Sequence, residues 1–331
     1  SRLNVAEDVY KRLISLYPDV RPLRHILAQF YLSYGRKDDA QRLYREIAAE
    51  NPSDTSAQLD VVRFIFAQQG AEAALRELET LIGKMPNNHE LKFSKAGLLQ
   101  SMKNPEGAEA VFKSVIEKAG NEADGIKAKG LLAGSLLARG QKAEAAKLIQ
   151  EVLAKDNRNE QGLLLKAGMA IDSRNLDQAI VDLRTILRDA PNSARALLLL
   201  AKANEIAGAA DLAQGRYLEA FKASGQAVSV GVEYGAFLLK RGQAARAEVV
   251  AQEALKNSPG DASMMKLLAQ ARINKGDWVG AQAVADELLK QGNAQARNAE
   301  QICGAMFEAR KNYEQSIAAF KRAYNAAPTE A

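Results

Sequence analysis

Alanine returns at a fixed interval along the whole chain: Ala6, Ala40, Ala74, Ala108, Ala145, Ala179, Ala213, Ala247 and Ala281, with Ser316 in the last place. The steps are 34, 34, 34, 37, 34, 34, 34, 34 and 35 residues. A unit of that length holds two helices and a turn and cannot bury its own apolar face. Stacked neighbours bury it instead, giving a solenoid whose product is an extended surface rather than a catalytic pocket.

Proline repeats in the same register. Pro18, Pro52 and Pro86 each fall 12 residues after their alanine, and Pro191, Pro259 and Pro328 keep that offset. Proline lacks an amide donor and clashes with the preceding turn, so this column marks helix ends. Gly120, Asn157, Gly225 and Asn293 fill the slot elsewhere, and these residue types suit a left-handed helix terminus. A third column, five residues before the alanine, holds Gly35, Gly140, Gly208, Gly242 and Gly276 and reads as the turn inside each unit. Between turns, Ala40, Leu43, Tyr44 and Ile47 follow the i, i+3, i+4, i+7 spacing of one helical face. No segment sustains the period-2 alternation of a strand, so the fold expected is all-α.

These columns resemble the tetratricopeptide repeat family. The unit from Arg21 to Asp54 carries Leu27, Ala28, Tyr31, Gly35, Ala40, Tyr44 and Pro52. The unit from Val228 to Asp261 carries Tyr234, Gly235, Leu238, Gly242, Ala247, Ala254 and Pro259. The last carries Gly304, Phe307, Tyr313, Phe320, Ala323 and Pro328. No unit has the family's tryptophan, and Trp278 reads as part of an inter-helix turn. The resemblance implies one α-solenoid domain over 1–331, a right-handed superhelix. It comprises a half repeat at 1–20 and full repeats at 21–54, 55–88, 89–122, 126–159, 160–193, 194–227, 228–261, 262–295 and 297–330. Ala123, Asp124 and Gly125 read as an insertion able to kink the array, and Ala296 as a one-residue insertion.

Composition narrows the function. The 45 basic and 40 acidic residues are interspersed without a basic run of five, which argues against nucleic acid as a partner. No apolar stretch approaches the ~18 residues of a membrane span. The chain opens inside the second helix of a unit, leaving Val5, Val9, Tyr10 and Leu13 partnerless on one side. Ile317, Phe320 and Tyr324 are likewise uncovered at the other end. Repeat arrays need polar caps, so the reading is a fragment of a longer parent, whose uncapped ends offer a route to self-association.

Residues for chemistry are sparse. Cys303 sits at an apolar column and reads as a small core residue. His25 and His89 are the only histidines and lack neighbours at metal-ligand spacing. Gly107 and Gly125 are isolated, and Asp38 and Asp39 open a helix, where they complement its dipole. The expectation is no cofactor, no metal and no enzyme activity.

In the family resembled, the first helix of each unit lines a concave groove, through about its second, fifth, ninth and twelfth positions. Here three successive ninth positions are Gly97, Gly134 and Gly168, although helical glycine costs about 1 kcal/mol against alanine. Around them stand Phe66, Phe93, Gly130, Leu137, Leu164, Ile171 and Leu198, flanked by Arg63 and Lys202. One reading is an apolar trough for a polypeptide, with Arg63 and Lys202 bracketing acidic groups on it. The other is that the glycines are neutral drift or allow tight helix packing. The family's two-carboxylate clamp for acidic chaperone tails is absent, since its positions hold His25, Gln29, Asp60, Glu90 and Ser94. The reading is therefore a protein- or peptide-binding scaffold. A weaker resemblance, in style of repeat, links it to bacterial exopolysaccharide-export scaffolds of the periplasm and cell envelope. Its rivals are a cytoplasmic adaptor module and a self-assembling array, and an enzyme only if an active site lies elsewhere in the parent.

Overall fold

The computed structural model describes residues 2–17 and 20–326. Pro18 and Pro328, two members of the proline column, lie outside them. The chain divides into two compact units, Ser1–Asp156 and Asn157–Ala331. The first contains α1 (Arg2–Leu16), α2 (Arg21–Ser33), α3 (Lys37–Glu50), α4 (Thr55–Gln69), α5 (Ala71–Lys84), α6 (His89–Ser101), α7 (Pro105–Ala119), α8 (Ala123–Ala138) and α9 (Lys142–Lys155). The second contains α10 (Glu160–Asp172), α11 (Leu176–Asp189), α12 (Ala194–Ile206), α13 (Ala210–Ala223), α14 (Val228–Lys240), α15 (Ala244–Asn257), α16 (Ala262–Lys275), α17 (Trp278–Lys290), a 3-10 turn at Asn293–Gln295, α18 (Ala296–Ala309) and α19 (Tyr313–Asn325). No strand occurs among the described residues. The fold is an all-α solenoid of helix–turn–helix repeats.

Short polar side chains start these helices. Asp54, Asn88, Asn159, Ser193 and Asp261 accept backbone amides at the starts of first helices, and Asn104, Asn175, Asp277 and Asn312 do so at second helices. Each such cap stabilises its helix by about 1 kcal/mol. Pro52, Pro86, Pro191 and Pro259 all fall just beyond the ends of second helices, where the sequence placed them.

The alanine column is the crossing point of the two helices in a repeat. Ala40, Ala74, Ala108, Ala145, Ala179, Ala213, Ala247 and Ala281 are all 0% exposed. Ser316 is also buried and donates its hydroxyl to the Gly304 carbonyl at 3.0 Å. Facing it on the first helix is a second small column: Ala28, Ala96, Ala133, Ala167, Ala201, Gly235, Ala269 and Gly304. Small residues on both sides let the helix axes approach closely. Val62 breaks that column.

The column of turn glycines adopts left-handed backbone, with φ +73 at Gly35, +78 at Gly140 and Gly208, +71 at Gly242 and +75 at Gly276. Lys103, Arg174 and Lys311 hold the same place at φ +58, +62 and +60. A side chain in that region costs roughly 1–2 kcal/mol, partly offset because glycine frees the unfolded chain. Lys103→Gly, Arg174→Gly and Lys311→Gly are each expected to stabilise the protein by about 0.5–1 kcal/mol. Urea denaturation followed by circular dichroism reads this, and a loss of stability in all three would refute it.

Several local expectations need correction. Asn157 and Asn293 are not left-handed. Near Asn293 that role passes to Gly292 at φ +111, and after Gly225 at φ +65 the left-handed path continues through Gln226 at φ +59. Trp278 begins α17 rather than lying in the turn. Ala123, Asp124 and Gly125 form the first turn of α8, so the insertion lengthens a helix instead of a loop. In the second repeat α4 runs to Gln69, and the single residue Gly70 (φ +86) connects it to α5.

Candidate functional site

That second repeat is where the first-helix face opens. Its α4 carries Val62 at the helix crossing, where every other repeat has alanine or glycine, and a one-residue turn replaces the usual wider one. A larger side chain at a close crossing holds the helices apart. Between α4 and α6 lies a cleft of about 360 Å³. Leu59, Val62, Arg63 and Phe66 form one wall and Ser94, Leu98 and Ser101 the other, with Ala74 and Leu78 of α5 beneath. Phe66 stands 49% exposed at this cleft. An aromatic side chain half in water beside an apolar cavity with a polar rim suits an apolar anchor on a partner.

The cation at this rim is not free. Arg63 pairs with Asp60 at 2.5 Å, one turn earlier on α4. Asp60 also lies 3.4 Å from Nε2 of His25 in the preceding repeat. His89 has a partner too, with Nδ1 2.9 Å from Asp124. The sequence reading missed both histidine partners because each acid lies one repeat further along, outside any local metal spacing.

The remaining candidates of the first unit are less open. Phe93 is half-buried against Val115, Ala119 and Ala128, and the Lys127 ammonium sits 4.4 Å from its ring centre. Gly97 is exposed, and a methyl group added there would meet nothing within 4 Å. Gly130 is buried, and Gly134 and Leu137 are half-buried.

In the second unit Leu164 and Ile171 are buried. Leu198 is half-buried against the core of that unit. Gly168 resembles Gly97, with open space where a side chain would begin. For these two glycines tight helix packing is ruled out. Lys202 pairs with Glu233 at 2.6 Å, and Lys240 with Glu205 at 3.0 Å, so ion pairs link α12 to α14 along this face. The Tyr217 hydroxyl donates to Glu205 at 2.9 Å, and burial followed by that carboxylate pushes its pKa well up. Both cations read as brackets for an acidic ligand are thus already engaged. Such pairs are worth little in water and can be exchanged for a ligand's carboxylate.

A second concavity, about 500 Å³, lies among α1, α2 and α3 and carries several charged side chains over an apolar floor of Ile14, Leu27 and Leu43. Glu7 anchors it. Its carboxylate faces Arg36, Lys11 at 2.7 Å and the Tyr31 hydroxyl at 3.0 Å. Arg36 first, then Lys11, hold its pKa at about 2, so it stays charged through the whole neutral range.

Cys303 is half-buried beside Gln282, and burial raises its pKa, the opposite of a reactive thiolate. Among the described residues no group of three His, Cys, Asp or Glu side chains is placed to hold a metal ion. No described helix is long and apolar enough to cross a membrane.

Comparison with known proteins agrees with this architecture. The sequence profile of the tetratricopeptide repeat family matches residues 237–299. No curated protein sequence matches the chain. Among solved structures, yeast Tom70 superposes with a TM-score of 0.55 at 14% identity, covering 99% of this chain and 82% of that one. A chain of the APC/C hetero-tetramer Cut9–Hcn1 gives 0.53 at 15% identity, covering 92% of this chain and 66% of that one. A tetratricopeptide repeat protein from Parabacteroides merdae gives 0.49 at 16% identity, covering 73% and 94%. The tetratricopeptide repeat profile thus matches residues 237–299, and the chain has the fold of a tetratricopeptide repeat solenoid.

Proposed function

We propose that the protein is an interaction scaffold that holds a polypeptide against the exposed faces of its first helices. The α4–α6 cleft is the anchor point in the first unit. The observation that carries this reading is Phe66, 49% exposed at the mouth of an otherwise apolar cleft of about 360 Å³. The open backbone at Gly97, next along the same face, gives room for a main chain to pass. In the second unit Gly168, Leu198 and Lys202 offer a separate contact region.

The test is affinity capture from a lysate of the source organism, followed by binding measurements on the captured partner. Phe66→Ala and Gly97→Leu are expected to weaken binding 30-fold or more, about 2 kcal/mol, as for loss of an interface hot spot. Helicity should stay native, with melting no lower than native in Gly97→Leu, where a better helix former replaces glycine. Gly134→Leu with Gly168→Leu, made separately, asks whether the rest of the glycine column contributes. Retention of the partner at native affinity by all these variants would remove the first-helix face from consideration.

A finer reading places the scaffold in the bacterial cell envelope, in the manner of exopolysaccharide-export proteins, against a cytoplasmic adaptor. It is supported only by the style of repeat, and fractionation of cells expressing the native protein decides it. Self-assembly is favoured by a different observation. Ile317, Phe320 and Tyr324 expose an apolar stripe on α19 beside a concavity of about 430 Å³. Sedimentation that depends on concentration, and ceases to in Phe320→Glu, would support that reading.

A further inference from the structure

Helix α19 carries an apolar stripe longer than its own repeat uses. Tyr313, Ile317, Phe320 and Tyr324 follow one another at intervals of four, three and four residues, the spacing of a coiled-coil seam. All four are exposed, at 61, 56, 40 and 81%. Ser316, Ala319 and Ala323 bury a neighbouring face of the same helix. The Phe320 ring lies against Gly304 of α18, where a side chain would collide with it, and its outer side reaches water. A concavity of about 430 Å³ runs along Ile317, Phe320, Lys321 and Tyr324. In inner repeats the place of Phe320 holds Leu78, Phe112, Ile149, Leu183 and Tyr217, all buried, so this is a packing face.

The charges beside the seam narrow its occupant. Arg322 is engaged with Glu300 at 2.8 and 2.9 Å. Glu314 and Lys321 are exposed and, among the described residues, have no ion pair or hydrogen bond. They stand seven residues apart, about two turns, on the same flank of the seam. Turned end for end, the seam matches itself. Ile317 then faces Phe320, Tyr313 faces Tyr324, and Glu314 falls beside Lys321.

We infer that a second copy of this chain occupies the seam, as an antiparallel α19–α19 pair about a two-fold axis. Such an axis demands a self-complementary patch, and α19 supplies one in both its apolar and its charged residues. Helix α1 exposes Val5, Val9 and Leu16 at similar intervals, but the exposed Arg12 interrupts that stripe, so a head-to-tail join is the poorer match. The tyrosines at the seam's two ends put aromatic surface inside and hydroxyls at a wet rim. The inference rests on the self-assembly reading and gives it a surface and a symmetry. Four apolar side chains from each copy make a pair of the weak, concentration-dependent class.

Sedimentation of the full chain over a wide range of concentration is the test. Native protein is expected to pass from monomer to dimer and to stop there. Glu314→Lys and Lys321→Glu each set two like-charge contacts across the axis, and each should weaken the dimer about tenfold or more. Both substitutions in one chain should restore native association. An equimolar mixture of the two single variants should pair more tightly than either alone, because each then meets its opposite charge. A native chain that stays monomeric overturns this pairing and the self-assembly reading together. Growth beyond the dimer, or single variants that associate like native protein, overturns the antiparallel pair while self-assembly stands.

Discussion

Lys166→Leu is expected to destabilise the protein by about 3 kcal/mol, while Lys166→Leu combined with Asp182→Val should leave it more stable than the native chain. The asymmetry follows from where the two charges sit. Asp182 on α11 is 5% exposed, and its Oδ1 accepts from Lys166 Nζ and Gln178 Nε2, both at 3.0 Å. Its Oδ2 is buried with no partner among the described residues. Lys166 on α10 keeps 42% of its side chain in water. Removing the lysine leaves a buried carboxylate with no counter-charge and only the neutral Gln178 amide as donor. That typically costs 3–5 kcal/mol, and the lysine's exposure places this case at the low end.

Removing the acid alone strands nothing comparable, because a half-exposed ammonium can turn to solvent. Asp182→Val should therefore be close to neutral. The double variant takes the aliphatic residues found in most other full repeats. The Lys166 position holds Leu27, Val61, Leu132, Leu200 and Leu268, with Lys95, Tyr234 and Cys303 in the remaining three. The Asp182 position holds Leu43, Val111, Leu148, Val250 and Val284, with Glu77, Arg216 and Ala319 in the remaining three. Replacing a buried pair with apolar residues of similar volume is neutral or stabilising by roughly 1–4 kcal/mol. Urea denaturation of the four proteins gives the cycle. A native-like Lys166→Leu, or a double variant weaker than native protein, would show that the pair is solvated rather than buried.

The same pair shows which parts of this molecule are legible as sequence and which are not. Period and phase are written in columns, because each structural role recurs once per repeat. Among the described residues, the alanines at the helix crossing, the prolines past the helix ends and the glycines in the turns appear where their spacing puts them. Lys103, Arg174 and Lys311 escaped notice because side-chain type hides a backbone conformation that the column still imposes.

Contacts between repeats are harder to read. Lys202 with Glu233, Lys240 with Glu205 and His25 with Asp60 join residues about one repeat apart. Their pairing depends on the offset between neighbouring helices, which the period alone does not fix. The candidate site suffers most from this. Its glycines and Phe66 were visible, yet the cleft exists through Val62 and Gly70, two departures that matter only against the columns they break. Leu164 and Ile171 stand at groove positions of the register, and both are buried.

Glycine gives the sharpest separation between a residue that packing requires and one that it does not. Gly125→Ala is expected to cost about 3 kcal/mol, whereas Gly97→Ala should stabilise by about 0.5–1 kcal/mol, although both glycines are helical. A methyl group on Gly125 would stand 2.2 Å from the Gly120 carbonyl oxygen and 2.8 Å from its carbon. Backbone cannot swing aside as a flexible side chain does. Gly120 is itself held at φ +54, and Ala119 just before it packs into the core with Val115 and Ala128. Relief would have to come from unwinding the first turn of α8, which also carries Asp124 away from His89. At Gly97 an added methyl meets nothing, so only the helical preference for alanine remains. Hydrogen exchange on the two variants should therefore diverge, with faster exchange confined to the α7–α8 junction in Gly125→Ala and slower exchange in α6 of Gly97→Ala. Equal effects from the two substitutions would mean that the Gly120–Gly125 approach is loose, and that the insertion is a linker rather than a built part of the helix.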